Sequence, residues 1–300
     1  QTIVVDFSAP NVAKPMHVGH IRSTIIGECL SRVAMKIGHK VIKDNHIGDW
    51  GTQFGMVTWA WKKGVDEERL ETEPLQELLR LYRTASDASK EDEGTKEECR
   101  AELVKLQQGD PDNKAIWERC LALSRKGLNQ IYDRLDVSFD HWMGESAYND
   151  ALAPLVEQLV GDDLARESDG AICIFSNEAG KPKHDPFKIN RDGEWQDFPM
   201  MIRKSDGAFN YATTDIATVE HRVKEWNADQ IWYVVDFRQG GHFSQLFDTS
   251  KRLGHIEVNL VHVAFGTILG KDGKPLKTRA GDLPQLEDVL NDAVKAAQIV

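Results

Sequence analysis

The chain has 300 residues, 41% of them hydrophobic and 28% charged, with 37 basic against 48 acidic side chains and a formal net charge of −11 at pH 7. That length buries a full core in one large or two smaller domains, and the acidity argues against a protein that coats nucleic acid non-specifically. No apolar run approaches the roughly 18 residues that a membrane-spanning helix needs, while four scattered cysteines imply no disulfide framework and fit a reducing compartment, the cytoplasm being the expected one.

Residues 2–7, TIVVDF, are rich in β-branched side chains and read as a strand, closed by the turn formers Ser8-Ala9-Pro10-Asn11. From Ile21 the apolar residues Ile21, Ile25, Leu30 and Val33 recur at helical spacing until Gly38. Between the two stands KPMHVGHIRST, in which His17 and His20 flank Gly19 where the strand hands over to the helix. A helix N-terminus offers free N–H groups and a partial positive charge, both suited to phosphate. Gly19 leaves room for a ligand against the backbone, and two histidines three apart share one helical face. The arrangement suits a nucleotide phosphate. By pattern alone it also describes polar surface histidines or half of a metal site. No two of Cys29, Cys99, Cys120 and Cys173 stand at zinc-site spacing and no H-E-x-x-H helix occurs, so no metal site is expected.

Lys40 to Asp44 reads as a second strand, leading into the glycine-bounded loop Asn45-His46-Ile47-Gly48-Asp49-Trp50-Gly51 and an apolar helix through Trp59 and Trp61. Residues 66–136 read as helices broken near Gly109-Asp110-Pro111. The acidity concentrates here: residues 64–105 carry 13 acidic against 7 basic side chains, whereas residues 1–50 carry 6 basic against 4 acidic. The charged stretch reads as a solvated helical face, and the positive excess lies near the proposed phosphate site. Residues 150–160 form a further helix, and AICIF and PMMIR within 171–203 are short strands joined by Gly, Pro and Asn-rich turns.

The alternation then resumes, with QIWYVVD (230–236) as a buried strand, 242–253 as a helix and 258–269 as a strand. This order predicts an α/β fold: a Rossmann-like parallel sheet in two halves, residues 1–63 and 198–300, separated by a connective insertion at 64–197 that is helical and then short-stranded. Ligands on such a sheet bind beyond the carboxyl ends of the strands, where Asn11, the loop 45–51 and Gln239-Gly240-Gly241-His242 fall. The absence of G-x-x-x-x-G-K-[ST] and G-x-G-x-x-G excludes a P-loop kinase and a Rossmann dehydrogenase.

With these pieces in place the sequence resembles a class I aminoacyl-tRNA synthetase, and specifically the catalytic core of the arginyl-tRNA synthetase family, over essentially the whole chain. The stretches that carry the resemblance are SAPNVAKPMHVGHIRSTIIG, NHIGDWGTQFG, RKSDGAFNYATTDIA, VVDFRQGGHF and FGTILGKDGKPLKTRAG. HVGH matches the family's HIGH element with valine for isoleucine. Lys274-Pro275-Leu276-Lys277-Thr278, in the loop 271–279, stands where the family carries KMSKS and keeps both lysines. Read without the resemblance, that loop is a hairpin turned by Asp272-Gly273.

The resemblance implies an ATP-dependent ligase with two steps: arginine attacks the α-phosphate of ATP, and the arginyl group then passes to the terminal adenosine of an arginine tRNA. The implied partners are L-arginine, ATP with its Mg²⁺, and that tRNA, with neither DNA nor a membrane. It further implies His17, His20, Lys274 and Lys277 as catalytic. Lys14, Gly19, His242 and Gln245 join His17, His20 and Lys277 around ATP. Asn11, Asn45, Tyr211, Asp215 and Gln239 are the implied arginine pocket, with Asp215 opposite the guanidinium, where a carboxylate accepts two parallel hydrogen bonds. By pattern alone Asp215 is equally a helix N-terminal acid, Tyr211 a core aromatic, and His242 and Gln245 an ordinary helix terminus. The family also implies an N-terminal module before Gln1 and a helical anticodon-binding domain after Val300. Two rivals remain at this stage: a tRNA-independent adenylyl-transferring enzyme of the HIGH superfamily, and an idle synthetase-like binding module.

Overall fold

The computed structural model describes residues 1–177, 181–269, 273 and 284–299. Its contacts group the chain into two units, one of Gln1–Phe7, Cys29–Asp44 and Glu145–Gly266, the other of Ser8–Glu28, Asn45–Gly144 and Thr267–Val300. The grouping runs across the three segments read from the sequence: residues 8–28 go with the helices of the second unit, and the short strands of 165–203 go with the sheet of the first.

The first unit is built on the parallel sheet that the sequence predicts. Strands β1 (Thr2–Asp6), β2 (Lys40–Asp44), β8 (Gln230–Asp236) and β9 (Asn259–Phe265) lie in the order β2-β1-β8-β9, every pair parallel. Ile3, Val4 and Val5 are buried, as a parallel strand covered on both faces requires. The order reverses between β1 and β8, the topological switch at which such sheets bind ligands.

Around this sheet stand the helices α7 (Asn149–Gly161), α8 (Tyr211–Lys224) and α9 (Gly240–Arg252), and an antiparallel sheet of β3 (Ala165–Ser168), β4 (Ala171–Ile174) and β7 (Met200–Arg203). A hairpin of β5 (Lys188–Arg191) and β6 (Glu194–Asp197) completes the unit. Two tight turns make the small strands possible. Asp169-Gly170 and Asp192-Gly193 sit at φ values of 51°, 77°, 53° and 92°, the left-handed pairs that two-residue hairpins demand.

One ionic cluster lies inside this unit. Arg222, at the C-terminal end of α8, is fully buried, and its Nη2 donates to Asp6 Oδ2 and Asp44 Oδ2, each at 2.7 Å. Asp6 and Asp44 are register partners at the ends of β1 and β2. Burial pulls the guanidinium's pKa down, and the two carboxylates return it to well above the ordinary value.

The second unit is mainly helical: α2 (Thr52–Gly64), α3 (Glu67–Thr72), α4 (Pro74–Glu91), α5 (Glu93–Gln107), α6 (Pro111–Leu135) and α10 (Leu286–Gln298). Its core gathers Val12, Phe54, Val57, Leu70, Leu78 and Leu81 with Cys99 and Cys120. The predicted break near Gly109 is present, since Asp110 caps α6 by accepting from the Asn113 N–H with Pro111 at the first helical position. Two more breaks follow the same chemistry. Asp92 caps α5 through the Thr95 N–H, and Pro74 opens α4.

Candidate active site

Each unit carries part of the predicted site. In the second unit, residues 8–13 lead to the HVGH turn. Ser8, Ala9 and Ala13 all hold positive φ, at 71°, 45° and 63°, a conformation costing non-glycine residues about 1 kcal/mol each or more. Each of these three is held by a side-chain acceptor on its N–H. Ser23 Oγ takes Ser8 at 2.8 Å, Asn45 Oδ1 takes Ala9 at 3.1 Å, and Ser124 Oγ takes Ala13 at 3.1 Å. Tyr132 ties the anchors together, its hydroxyl 2.7 Å from Ser8 Oγ and accepting from Asn45 Nδ2 at 3.1 Å. Burial pushes that phenol up to about 12, so it stays protonated. Asn45, fully buried, thus has both ends of its amide engaged within the loop.

His17 to His20 form a 3-10 turn closed on itself. His17 Nδ1 accepts from the Gly19 N–H at 3.1 Å, and His20 Nδ1 accepts from the His17 N–H at 3.1 Å. With its Nδ1 accepting, neutral His17 carries its proton on Nε2 and presents an Nε2–H donor, while His20 Nδ1 stands 3.1 Å from the His17 N–H and 3.3 Å from the His17 carbonyl oxygen, within reach of both tautomers. The ring centroids lie 3.9 Å apart, with the planes tilted by 34°. Burial, and then the neighbouring His17, lower the pKa of His20 to about 3; burial and, more weakly, the charge of Lys14 lower that of His17 against an opposing backbone hydrogen bond. Both rings are therefore neutral near pH 7. A Cβ on Gly19 would stand 2.8 Å from His17 Cε1 and 2.9 Å from His17 Nδ1, so the glycine is needed by the folded-back imidazole itself.

Other candidates of this unit cluster nearby. Asn11 bridges Gly48, where a Cβ would lie 2.2 Å from Asn11 Oδ1. Lys14 Nζ sits 4.0 Å above the Tyr82 ring of α4. The segment entering α10 is pinned on the turn: the Val18 N–H donates to Pro284 O at 3.1 Å, the Leu286 N–H to Met16 O at 2.9 Å, and Gln76 Nε2 to Gln285 Oε1 at 2.9 Å. Lys274 and Lys277 lie outside the described residues.

The first unit assembles the remainder. Asn210 caps α8, and Tyr211 and Asp215 share one face of it, as the spacing predicts. His242, in the first turn of α9, lies with Nε2 2.6 Å from Asp215 Oδ2 and its ring edge-on to Tyr211 at 4.9 Å. Gln239 ends the short 3-10 turn after β8 and is exposed. Gln245 points elsewhere: it is buried and donates to Phe198 O at 2.6 Å. The sequence reading omitted Ser23, Ser124 and Tyr132, which reach the loop from the helices α1 (Ile21–Lys36) and α6, and Arg222 and Gln285. None has a local signal, because their partners are remote in sequence.

A β2-β1-β8-β9 parallel sheet in one unit and an HVGH turn in the other are the two features expected of a class I aminoacyl-tRNA synthetase. The chain belongs to the family described as tRNA synthetases class I (R), catalytic domain, whose model matches residues 1–300. An arginine–tRNA ligase of Rhodopirellula baltica is 39% identical across 99% of this chain and 54% of its own length. One of Picosynechococcus sp. is 43% identical across 99% and 50%. The chain thus spans about half the length of these curated relatives. Among solved structures, the arginyl-tRNA synthetase of Plasmodium falciparum superposes with a TM-score of 0.72 at 32% identity, over 90% of this chain and 44% of that one. The Thermus thermophilus arginyl-tRNA synthetase shares the fold, with a TM-score of 0.73 at 18% identity over 99% and 53%.

Proposed function

We propose that this chain is the catalytic domain of an arginine–tRNA ligase, which joins L-arginine to the α-phosphate of ATP and passes the arginyl group to the terminal adenosine of its tRNA. The curated relatives bear that name, and the matches favour neither the idle module nor a tRNA-independent enzyme. The observation that carries the reading is the closed HVGH turn: two neutral imidazoles held against the backbone through their Nδ1 atoms, with the Nε2 atoms left for a ligand. Donors set in advance toward an oxygen that gains charge are what adenylate formation requires.

In this reading His17 and His20 donate to the α-phosphate, and Gly19 lets the His17 ring take its place. Lys277 and Lys274, with Lys14, neutralise the departing pyrophosphate, and Mg²⁺ enters with ATP as part of the substrate. Asp215 accepts the guanidinium fork and Tyr211 covers its stem. Asn11 and Gln239 hold the polar ends of the amino acid, while Asn45 supports the loop behind them. Residues 1–63 and 198–300 form the halves of the catalytic core and 64–197 the connective insertion. No helix among the described residues is long and apolar enough to cross a membrane, and the proposed setting is the cytoplasm.

The test is arginine-dependent exchange of pyrophosphate into ATP, with and without arginine tRNA, on the wild type and on His20→Ala. The expected result is exchange that requires arginine over lysine and falls roughly a hundredfold in the variant, the usual cost of one preorganised donor. Arginine and ATP that fail to bind at all would overturn the reading.

A further inference from the structure

The site of the first unit contains a contact that its proposed roles leave unexplained. His242 is read from the sequence as a nucleotide contact, yet its ring is committed to the amino-acid side. Nε2 lies 2.6 Å from Asp215 Oδ2, with the His242 side chain 12% exposed and that of Asp215 25% exposed. The ring is caged as well. Tyr211 stands edge-on to it with centroids 4.9 Å apart, and Phe243 does so at 5.4 Å. A side chain held on two sides by aromatic rings keeps its hydrogen bond in one direction.

We infer that His242 is a positioning residue for arginine selection, fixing the Asp215 carboxylate so that it faces a planar guanidinium with both oxygens. The inference rests on the proposal that Asp215 is the guanidinium anchor. A carboxylate that turns freely about its last side-chain bond presents two coplanar acceptors only part of the time. A bidentate pair needs both at once. Each carboxylate oxygen accepts more than one hydrogen bond, so Oδ2 receives the imidazole N–H and still has capacity for one arm of the fork, with Oδ1 free for the other. Lysine, a point charge without a fork, gains far less from such alignment. His242 therefore bears on the choice of arginine over lysine more than on nucleotide binding.

The experiment compares wild type, His242→Phe, His242→Gln, Asp215→Asn and the double variant His242→Phe/Asp215→Asn in the full-length enzyme with its tRNA. Phenylalanine keeps the ring between Tyr211 and Phe243 but removes the donor; glutamine restores a donor at nearly the same reach. KM for arginine, KM for ATP and the arginine-to-lysine ratio are read from pyrophosphate exchange, and circular dichroism checks that each variant is folded. His242→Phe is expected to raise the arginine KM and lower the discrimination ratio about tenfold, the scale of one charge-assisted hydrogen bond, with the ATP KM within about twofold of wild type. His242→Gln recovers most of the loss. In the Asp215→Asn background His242→Phe adds less than about twofold, because both variants break the same contact. A raised ATP KM with an unchanged arginine KM, or losses that multiply in the double variant, would overturn the inference. Asp215→Asn that leaves arginine binding intact would instead overturn the anchor on which it rests, and the two failures are distinct.

Discussion

Arg222 and Asp44 form an ion pair of 2.7 Å in which both side chains have no exposure to solvent, and the same nitrogen reaches Asp6 at equal distance. Two carboxylates at the ends of neighbouring parallel strands repel each other in a medium that screens poorly. The guanidinium at the far end of α8 compensates both.

Removing that compensation leaves two buried negative charges behind. Arg222→Met is expected to destabilise the protein by about 3–5 kcal/mol, far more than a surface ion pair would. Urea denaturation followed by circular dichroism checks this, as a lower midpoint at unchanged slope. A shift no larger than that of a surface substitution would mean that the triad contributes nothing net.

The strained loop before the HVGH turn predicts a second effect. Tyr132→Phe removes a hydroxyl that serves both Ser8 and Asn45; Ser8 Oγ keeps Thr24 Oγ1 at 2.9 Å, but the buried Asn45 amide loses the acceptor of its Nδ2. The expected loss is about 1–3 kcal/mol of stability. Pyrophosphate exchange by the folded variant should also fall, because Ala9 and its neighbours relax out of the left-handed region. A variant that loses stability at full activity would separate the loop from the chemistry.

Gly19→Ala tests the turn from inside. The backbone there tolerates alanine, but the new methyl meets the His17 imidazole and forces it off the Gly19 N–H. Denaturation midpoints should change by less than about 1 kcal/mol, since one side chain has only to swing. Exchange activity should fall by about a hundredfold, the cost of a reacting group misplaced by about an ångström.

The protonation of His20 gives a pH signature. Its folded-state pKa, near 3, lies below the ordinary 6.5 because burial disfavours the imidazolium. The unfolded chain therefore binds a proton that the folded chain refuses, so the stability this residue permits is present above pH 6.5 and is lost progressively as pH falls toward 3. The His20 ring resonance in an NMR titration should stay constant from pH 8 to about pH 5. A midpoint near 6.5 would remove the neutral-donor assignment.

Asp215→Asn keeps the shape of the proposed anchor and removes its charge. Arginine binding measured by calorimetry should weaken by about 2–4 kcal/mol, since a charge-assisted pair becomes a neutral one. A loss below tenfold would reassign Asp215 to the helix-terminal role that its sequence position also allows.

How much of this was legible depends on the range of the forces involved. The parallel strands were readable because TIVVD and QIWYVVD advertise burial within a few residues, and α6 because Asp110-Pro111 spells a helix start. The strands β3, β5 and β6 went unread although Asp169-Gly170 and Asp192-Gly193 signal hairpins, because ARES, KINR and EWQD are mostly polar, whereas the equally short AICI and MMIR present apolar runs. His17, Gly19 and His20 were recognisable as a unit, but the reason for the glycine was not: the atom that excludes a Cβ belongs to His17, and only the folded ring reveals it. Asn45 and His242 were named as ligand contacts on resemblance. Their observed partners, Ala9 with Tyr132 and Asp215, stand between 27 and 87 residues away, a distance over which propensity carries no information.

The strap across residues 16–18, made by Pro284 and Leu286, bears on the order of assembly. Its two sides are about 270 residues apart, so closing it incurs the entropy of a loop of that length and offers few hydrogen bonds in return. Such a closure belongs late on the folding path, after the sheet and the helical core have already brought the ends within reach. During synthesis the histidine turn thus emerges about 270 residues ahead of the segment that straps it, so a chain arrested between the two would hold every residue of HVGH without the hydrogen bonds that Pro284 and Leu286 make to it.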